Sequence, residues 1–319
     1  MFLTAQQGLV MDGILNINKP WGKTSFSLVA KVRRLSGERR VGHAGTLDPA
    51  ASGVLPVGFG RGTRVIEFLL DATKVYRAEV ELGAATDTYD ADGQLVQRGD
   101  PSGVSREQLE AKLALFRGSI QQVPPMYSAV KCQGKPLYEL ARVGITVERK
   151  SRLVQIHRLE LVDWQPPVVT VEVVCGKGTY IRSLAHDLGQ ALGCGAYLKN
   201  LIRSRYGLFD VRDAISELQL EDAFRYGYWQ DFVYPIDSVL SHWAAVVVSD
   251  DVGRKIRNGR PLELGDVGEG EGRVYLKQYL PDWSSSESRC RVYALDGHFL
   301  GVLRFDAEKR QWQPEKVFH

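Results

Sequence analysis

Apolar residues recur along this chain at two spacings, and each spacing predicts an element. Ile14-Leu15-Asn16-Ile17 reads as a short strand, closed by the turn Lys19-Pro20-Trp21-Gly22-Lys23. Leu28, Val29, Val32 and Leu35 then fall at helical spacing behind an N-cap at Thr24 or Ser25, and Gly37 ends that helix. Val75 to Leu82 alternates as a strand, and the β-branched run Val168 to Val174 predicts another. After the turn Gly176-Lys177-Gly178-Thr179, Ile181, Leu184, Ala185, Leu188 and Leu192 share one face of a helix that stops at Gly193 to Gly195. Tyr226-Gly227-Tyr228-Trp229 closes this larger unit. From Trp243 on, short Val-rich segments separated by Gly259, Gly265, Gly268, Gly270, Gly272, Gly297 and Gly301 predict a small β domain.

The length, 319 residues, suits one large and one small domain. An apolar fraction of 44%, a charged fraction of 25% and a mean hydropathy of −0.20 exclude a membrane protein, a disordered chain and a collagenous fibre. The first residues lack the basic start and apolar core of a signal peptide, and Met11 is an alternative initiator. The four cysteines, at 132, 175, 194 and 290, form no C-x-x-C pair and have no histidine at zinc-finger spacing. Neither a metal site nor a disulfide framework is expected, and a reducing cytoplasm is.

Net charge is only +3, but it is unevenly distributed. Residues 19–41 carry Lys19, Lys23, Lys31, Arg33, Arg34, Arg39 and Arg40 against Glu38, and residues 131–158 carry a second basic cluster. Between them lies an acidic stretch with Glu79, Glu81, Asp87, Asp90, Asp92 and Asp100, expected to face solvent away from any polyanion. Acids and bases balance in residues 241–319. The pattern is that of a surface with two places for nucleic acid.

No nucleotide-binding motif is complete. Gly58-Phe59-Gly60-Arg61-Gly62 lacks the register of a dinucleotide loop, and Gly176-Lys177-Gly178-Thr179 lacks the upstream glycine of a P-loop. There is no nucleophile elbow. The informative stretch is Gly42-His43-Ala44-Gly45-Thr46-Leu47-Asp48-Pro49, within Gly-rich residues 42–62, where a carboxylate stands on an irregular loop able to approach a ligand closely.

Four motifs occur in order: Asn18-Lys19-Pro20-Trp21-Gly22-Lys23-Thr24-Ser25; Gly42 to Pro49; Ser128-Ala129-Val130-Lys131 with Gly134 and Tyr138; and Gly178-Thr179-Tyr180-Ile181-Arg182. By these motifs the chain resembles the bacterial tRNA pseudouridine-55 synthases of the TruB family from about residue 12 to 240. The tail from about 243 resembles, through weaker motifs, a PUA-type RNA-binding domain. The resemblance implies an α/β (α+β) catalytic domain, residues 1–240, on a mixed, largely antiparallel sheet with the cleft over one face. An RNA-gripping insertion spans about 124–155, and residues 241–319 form a small β-barrel-like domain that docks on an RNA stem by shape.

The implied reaction needs no metal and no organic cofactor: the C1′–N1 bond of uridine 55 in the tRNA T arm breaks, the base rotates, and it rejoins through C5. Asp48 is the implied essential carboxylate, as nucleophile on the sugar or as promoter of elimination through a glycal. Arg182 matches the family's arginine that keeps Asp48 ionised, and a guanidinium can hold a carboxylate bidentately. No second carboxylate partner is evident, unlike a glycoside hydrolase. Tyr76 matches an active-site tyrosine able to stack on uracil and move a proton. Tyr180 and Leu201 match uridine-pocket positions, and His43 is the expected filler of the gap left by the flipped base. Lys19, with Lys23 and Pro20, is expected to brace the catalytic loop or touch substrate phosphate.

Lys131, Arg149, Lys150, Arg152 and Arg203 are the expected RNA-backbone contacts, with Tyr127 and Tyr138 interleaved for stacking. Where the family tends to carry a basic residue, this chain has Ile202, and Arg203 and Arg205 are the compensating candidates. A monomer acting on tRNA without a membrane, guide RNA or protein partner is expected. Two other readings fit the basic clusters: an RNA-binding module or tRNA folding chaperone, and a synthase acting on another RNA.

Overall fold

A computed structural model of the chain describes residues 12–263 and 289–319. Met11, Gly265, Gly268, Gly270 and Gly272 lie outside the described residues. The chain divides into two compact units. The larger holds residues 15–57 and 69–233; the smaller holds, of the described residues, 12–14, 58–68, 234–263 and 289–319.

Chain order begins β1 (Gly13–Lys19), α1 (Ser25–Ser36), β2 (Val41–His43), β3 (Ala51–Phe59), α2 (Ile66–Leu69) and β4 (Lys74–Leu82). The hairpin β5 (Ala84–Thr86) and β6 (Leu95–Arg98) leads to α3 (Arg106–Ala114) and β7 (Gly118–Gln122). A second small hairpin, β8 (Lys131–Cys132) and β9 (Lys135–Pro136), precedes α4 (Leu137–Arg142). Then come β10 (Arg152–Gln165), β11 (Val168–Cys175), α5 (Ile181–Leu192), β12 (Ala196–Tyr206), β13 (Phe209–Asp210), α6 (Glu217–Tyr226) and β14 (Val233–Tyr234).

The main sheet runs β14-β1-β3-β12-β4-β11-β10-β7, with β2 on β3 and β13 on β12. β12 is parallel to β3 and antiparallel to β4; β4, β11, β10 and β7 pair antiparallel in turn. Alternation explains β4: Tyr76, Ala78, Val80 and Leu82 point into the core, while Arg77 is exposed. They meet Val169, Val171 and Val173 of β11 and, above the sheet, Leu184, Ala185 and Leu188 of α5 with Leu109 and Leu113 of α3. Each fully buried Val or Leu among them contributes about 1.5–3 kcal/mol. α5 therefore has a fixed seat on the sheet, and so does whatever its first turn carries.

Sequence patterning anticipates α1 closely: Thr24 caps it by accepting from the Ser27 N–H at 3.0 Å, and Gly37 ends it at φ 70°. It misses β3. The second half of the Gly-rich stretch is a nine-residue strand, buried along nearly its whole length. Gly53 sits there at φ 103° against β12, where a Cβ would lie 2.3 Å from the Arg203 carbonyl oxygen. Glycine at this position marks close backbone approach inside a sheet.

The smaller unit contains β15 (Ala244–Val247), α7 (Asp250–Arg257), β16 (Leu262–Glu263), β17 (Arg289–Tyr293), β18 (Phe299–Asp306) and β19 (Gln311–Val317). Its strands form a sheet in the order β15-β17-β18-β19-β16 around fully buried Trp312. The all-β expectation misses α7, an eight-residue helix containing Gly253 that is too short to display a period. Its acids stand in the first turn and its bases in the last, as the helix dipole favours.

Gly53→Ala should cost about 3 kcal/mol or more, because the methyl group meets backbone and the φ is unfavourable to any side chain. Urea unfolding of the variant against the wild type measures this.

Candidate active site

The loop from Gly42 to Pro49 is irregular, yet hydrogen bonds from other segments fasten it at many points. Ser25 Oγ, at the start of α1, donates to the Leu47 carbonyl at 3.1 Å and accepts from the Leu47 N–H at 2.9 Å. The Gly22 N–H donates to the Pro49 carbonyl at 2.8 Å, and the Ala44 N–H to the Pro56 carbonyl at 2.9 Å. Both neighbours of Asp48 are thus tied to the turn and helix that follow β1. Backbone polar groups with no ladder partner need such donors and acceptors.

Lys19 and Arg203 complete the fastening; Lys19 takes one of the two roles expected of it, and Arg203 departs from its expected one. Lys19 is fully buried, and its ammonium donates to the carbonyls of Pro20 at 3.0 Å, Lys23 at 2.6 Å and Pro49 at 3.4 Å. It braces the loop that carries Asp48, with its ammonium turned to backbone carbonyls and away from the surface. Burial lowers its pKa to about 8, opposed by the attraction of Asp48. Arg203, expected on the RNA backbone, is 1% exposed. Its Nε donates to the Val54 carbonyl at 2.8 Å and its Nη2 to the Gly45 carbonyl at 2.9 Å, and its guanidinium lies over the Tyr206 ring. The position faces inward on β12, opposite Tyr76 of β4 and Gly53 of β3, so the strand's alternation sends this cation into the core. Ile202, on the other face, is half-buried. Arg205 is exposed and pairs with Asp210 at 3.3 Å.

Asp48 lies on the floor of an open cleft of about 820 Å³, also lined by Phe26, His43, Asp90, Tyr127, Tyr138 and Arg182. That volume is in the range of ligand clefts, roughly 300–1,000 Å³. Arg182 stands in the first turn of α5, almost fully buried, where a cation is disfavoured by the helix dipole. Two acids offset that. Its Nε lies 3.0 Å from Asp48 Oδ2 and its Nη1 3.3 Å from Asp90 Oδ2. Nη1 also donates to the Thr88 carbonyl at 3.4 Å, and Nη2 to the Tyr127 carbonyl at 2.7 Å. The fork is therefore shared between two carboxylates instead of gripping Asp48 with both arms.

Asp90 overturns two expectations. It belongs to the acidic stretch assigned to solvent, but it is 9% exposed and turned toward the cleft. It is also the second carboxylate that the sequence did not reveal. Thr88 Oγ1 donates to Asp90 Oδ1 at 2.6 Å, and the Asp92 N–H donates to the same oxygen at 3.2 Å, which fixes the side chain. The Asp90-Ala91-Asp92-Gly93 turn is the sole local signal. Pairing with Arg182 spans 92 positions.

Burial pushes the Asp48 carboxyl above its ordinary pKa, and the neighbouring Asp90 charge adds to this; Arg182 and Lys19 oppose it. With 41% of its side chain open to the cleft, Asp48 keeps part of its solvation, which limits this rise. Around it, Leu201 lines a small inner recess with Asp48, Asp90 and Arg182. Tyr76 is buried on β4, and burial raises its phenol pKa, with Arg203 opposing. Tyr180 precedes α5; its N–H donates to Gln122 Oε1 at 2.7 Å, and its carbonyl accepts from Gln122 Nε2 at 2.9 Å. Burial and Arg203 lower the His43 pKa, which favours the neutral ring, and its Nδ1 has no hydrogen-bond partner among the described residues.

Of the remaining basic candidates, Lys131, Lys150 and Arg152 are exposed. Arg149 is half-buried and donates to the Pro124 carbonyl at 3.1 Å, so it supports the insertion's own backbone. Among the described residues no group of side chains could hold a metal ion, and no helix is long and apolar enough to cross a membrane.

The mixed sheet places a carboxylate and a buried arginine at a wide cleft, and similarity to known proteins gives the class, an enzyme of the pseudouridine-synthase fold. A chain in the crystal structure of a Cbf5-Nop10-Gar1 complex superposes with a TM-score of 0.74 at 26% identity, covering 96% of this chain and 85% of that one. Residues 33–181 match the TruB family pseudouridylate synthase N-terminal domain, and residues 182–241 match the tRNA pseudouridylate synthase B C-terminal domain. The tRNA pseudouridine synthase B of Dehalococcoides mccartyi strain BAV1 is 43% identical over 97% of both chains. That of Geobacillus thermodenitrificans is 48% identical over 80% of this chain and 86% of its own. The chain belongs to the TruB family of pseudouridylate synthases.

If ionised Asp48 is the working form, activity falls as pH drops through its raised pKa. Asp90→Asn removes a like charge, stabilises the Asp48 anion, and should shift this acid limb to lower pH. The pH profile of kcat for pseudouridine formation checks the direction.

Proposed function

We propose that this chain converts uridine 55 of the tRNA T arm to pseudouridine, with Asp48 as the essential carboxylate. The observation that carries the reading is Asp48 at the cleft floor with the Arg182 Nε 3.0 Å from its Oδ2. In this isomerisation C1′–N1 breaks, the base turns, C1′–C5 forms, the C5 proton leaves and N1 takes one up. An ionised carboxylate serves both available routes, attack on C1′ and elimination through a glycal.

On this reading the other groups have the following roles. Neutral Tyr76 stacks on uracil and carries a proton, while Tyr180 and Leu201 give the uncharged base an aromatic and apolar pocket. Unstacking the uridine costs a few kcal/mol, and the neutral His43 ring fills the gap it leaves. Exposed Lys131, Lys150 and Arg152 hold phosphates, and the smaller unit docks on the RNA stem by shape.

The fold neighbour comes from a complex of several proteins. For this chain we favour a monomer that works without guide RNA, cofactor or protein partner, because the similarity to bacterial synthases extends over nearly the whole chain. The four free thiols suit a reducing cytoplasm.

The purified chain alone should release tritium from C5-labelled uridine in an unmodified T-arm stem-loop. Asp48→Asn should abolish release and leave tRNA affinity within a few-fold; full turnover by the variant would remove Asp48 from the chemistry. Replacing Lys131, Lys150 and Arg152 together by Gln should lower the slope of log K against log salt by about 2–3. An unchanged slope would take the insertion off the binding surface.

A further inference from the structure

Two aromatic rings beside the loop that carries Asp48 stand largely outside the packed core. Trp21 is 68% exposed in the turn after β1, and Phe26 is 66% exposed in the first turn of α1. Neither has a ring or hydrogen-bonded partner among the described residues. α1 packs inward through Ser25, Leu28, Val29 and Val32, so Phe26 falls outside its buried face. Phe26 instead lines the cleft that holds Asp48.

Their placement is fixed relative to the reacting centre. Trp21 adjoins Gly22, whose N–H holds the Pro49 carbonyl at 2.8 Å. Phe26 adjoins Ser25, whose hydroxyl holds both backbone groups of Leu47. Leu47 and Pro49 flank Asp48, so each ring stands one residue from an anchor of the catalytic loop. Exposed Lys23 lies between them and adds positive charge. Flat, apolar surfaces on an anchored backbone and beside a cation suit nucleobases, whose faces stack on aromatic rings whatever their sequence.

We infer that Trp21 and Phe26 form a stacking surface for unpaired bases of the substrate RNA that flank the flipped uridine. The inference rests on the RNA-modifying reading above. Binding is measured with an unmodified T-arm stem-loop in an Asp48→Asn background, so that no turnover intervenes. Trp21→Ala and Phe26→Ala should each weaken affinity roughly ten-fold, with an unchanged salt slope because no phosphate contact is lost. Trp21→Tyr should restore most of the affinity and Trp21→Leu should not, since stacking needs a π face. Trp21→Tyr should also remove the part of the fluorescence quench that accompanies RNA binding.

Unaltered affinity in the double Ala variant overturns the inference, as does full rescue by Leu, which would mark an apolar contact with no stacking. A wild-type chain that binds this RNA through both rings yet releases no tritium would overturn the function and leave the stacking surface standing. Both side chains are exposed, and thermal unfolding of the variants at the wild-type midpoint confirms that the fold is intact.

Discussion

Arg182 stands between Asp48 and Asp90, and the geometry of the cleft depends on how its three nitrogens are divided. One faces the proposed catalytic carboxylate, one faces the second carboxylate, and one donates to the Tyr127 carbonyl at the edge of the insertion. A cation buried at a helix N-terminus is stable there only because acids surround it, and the acids stay close together only because the cation lies between them. Segments far apart in sequence are thereby held at one point: the loop after β2, the β5–β6 hairpin, the insertion and α5. Burial, with the nearby Asp90 charge, raises the Asp48 pKa, and the shared Arg182 cation opposes that rise.

Around this centre the protein uses buried cations as structural donors. Lys19 satisfies loop carbonyls, Arg203 satisfies Val54 and Gly45, and Lys74 donates to Leu70 and Ala72 while lying over the Tyr206 ring. An irregular loop presents carbonyls that no strand partner can pair, and a long basic side chain reaches several of them at once. The loop bearing Asp48 is consequently fastened at many points without being regular. This is also why a count of basic residues overstates the surface available to RNA: Lys19 and Arg203 are among the most enclosed side chains of the larger unit.

Elements with a sustained period could be read in advance. β1, α1, β4, β11 and α5 appear where alternation or helical spacing places them, and their caps follow from Thr24, Gly37 and Gly193. β3 could not be read this way, because a strand buried on both faces shows no alternation and its glycines imitate a loop. α7 was hidden by its shortness. Within the site, Asp48 and Arg182 stand in ordered motifs, whereas Asp90 looks like any solvated acid until the hairpin carries it to Arg182. Trp21 and Phe26 look like core residues by type, and only their exposure makes them surface features.

The amino-acid order by itself determined the strands and helices with a clear period, the irregular loop bearing Asp48, the family resemblance, and the division of charge into opposing blocks. Those features are local, set by steric and hydrophobic preferences that act over a few residues. Tertiary structure alone decided which charges are inside and which face the cleft. Whether Arg203 meets a phosphate or a carbonyl, and whether Asp90 meets water or Arg182, depends on neighbours more than ninety positions away. A charge has the same sequence signature in either place. The low-dielectric interior accepts it only where folding supplies a partner, and that partner is found by packing and not by order in the chain.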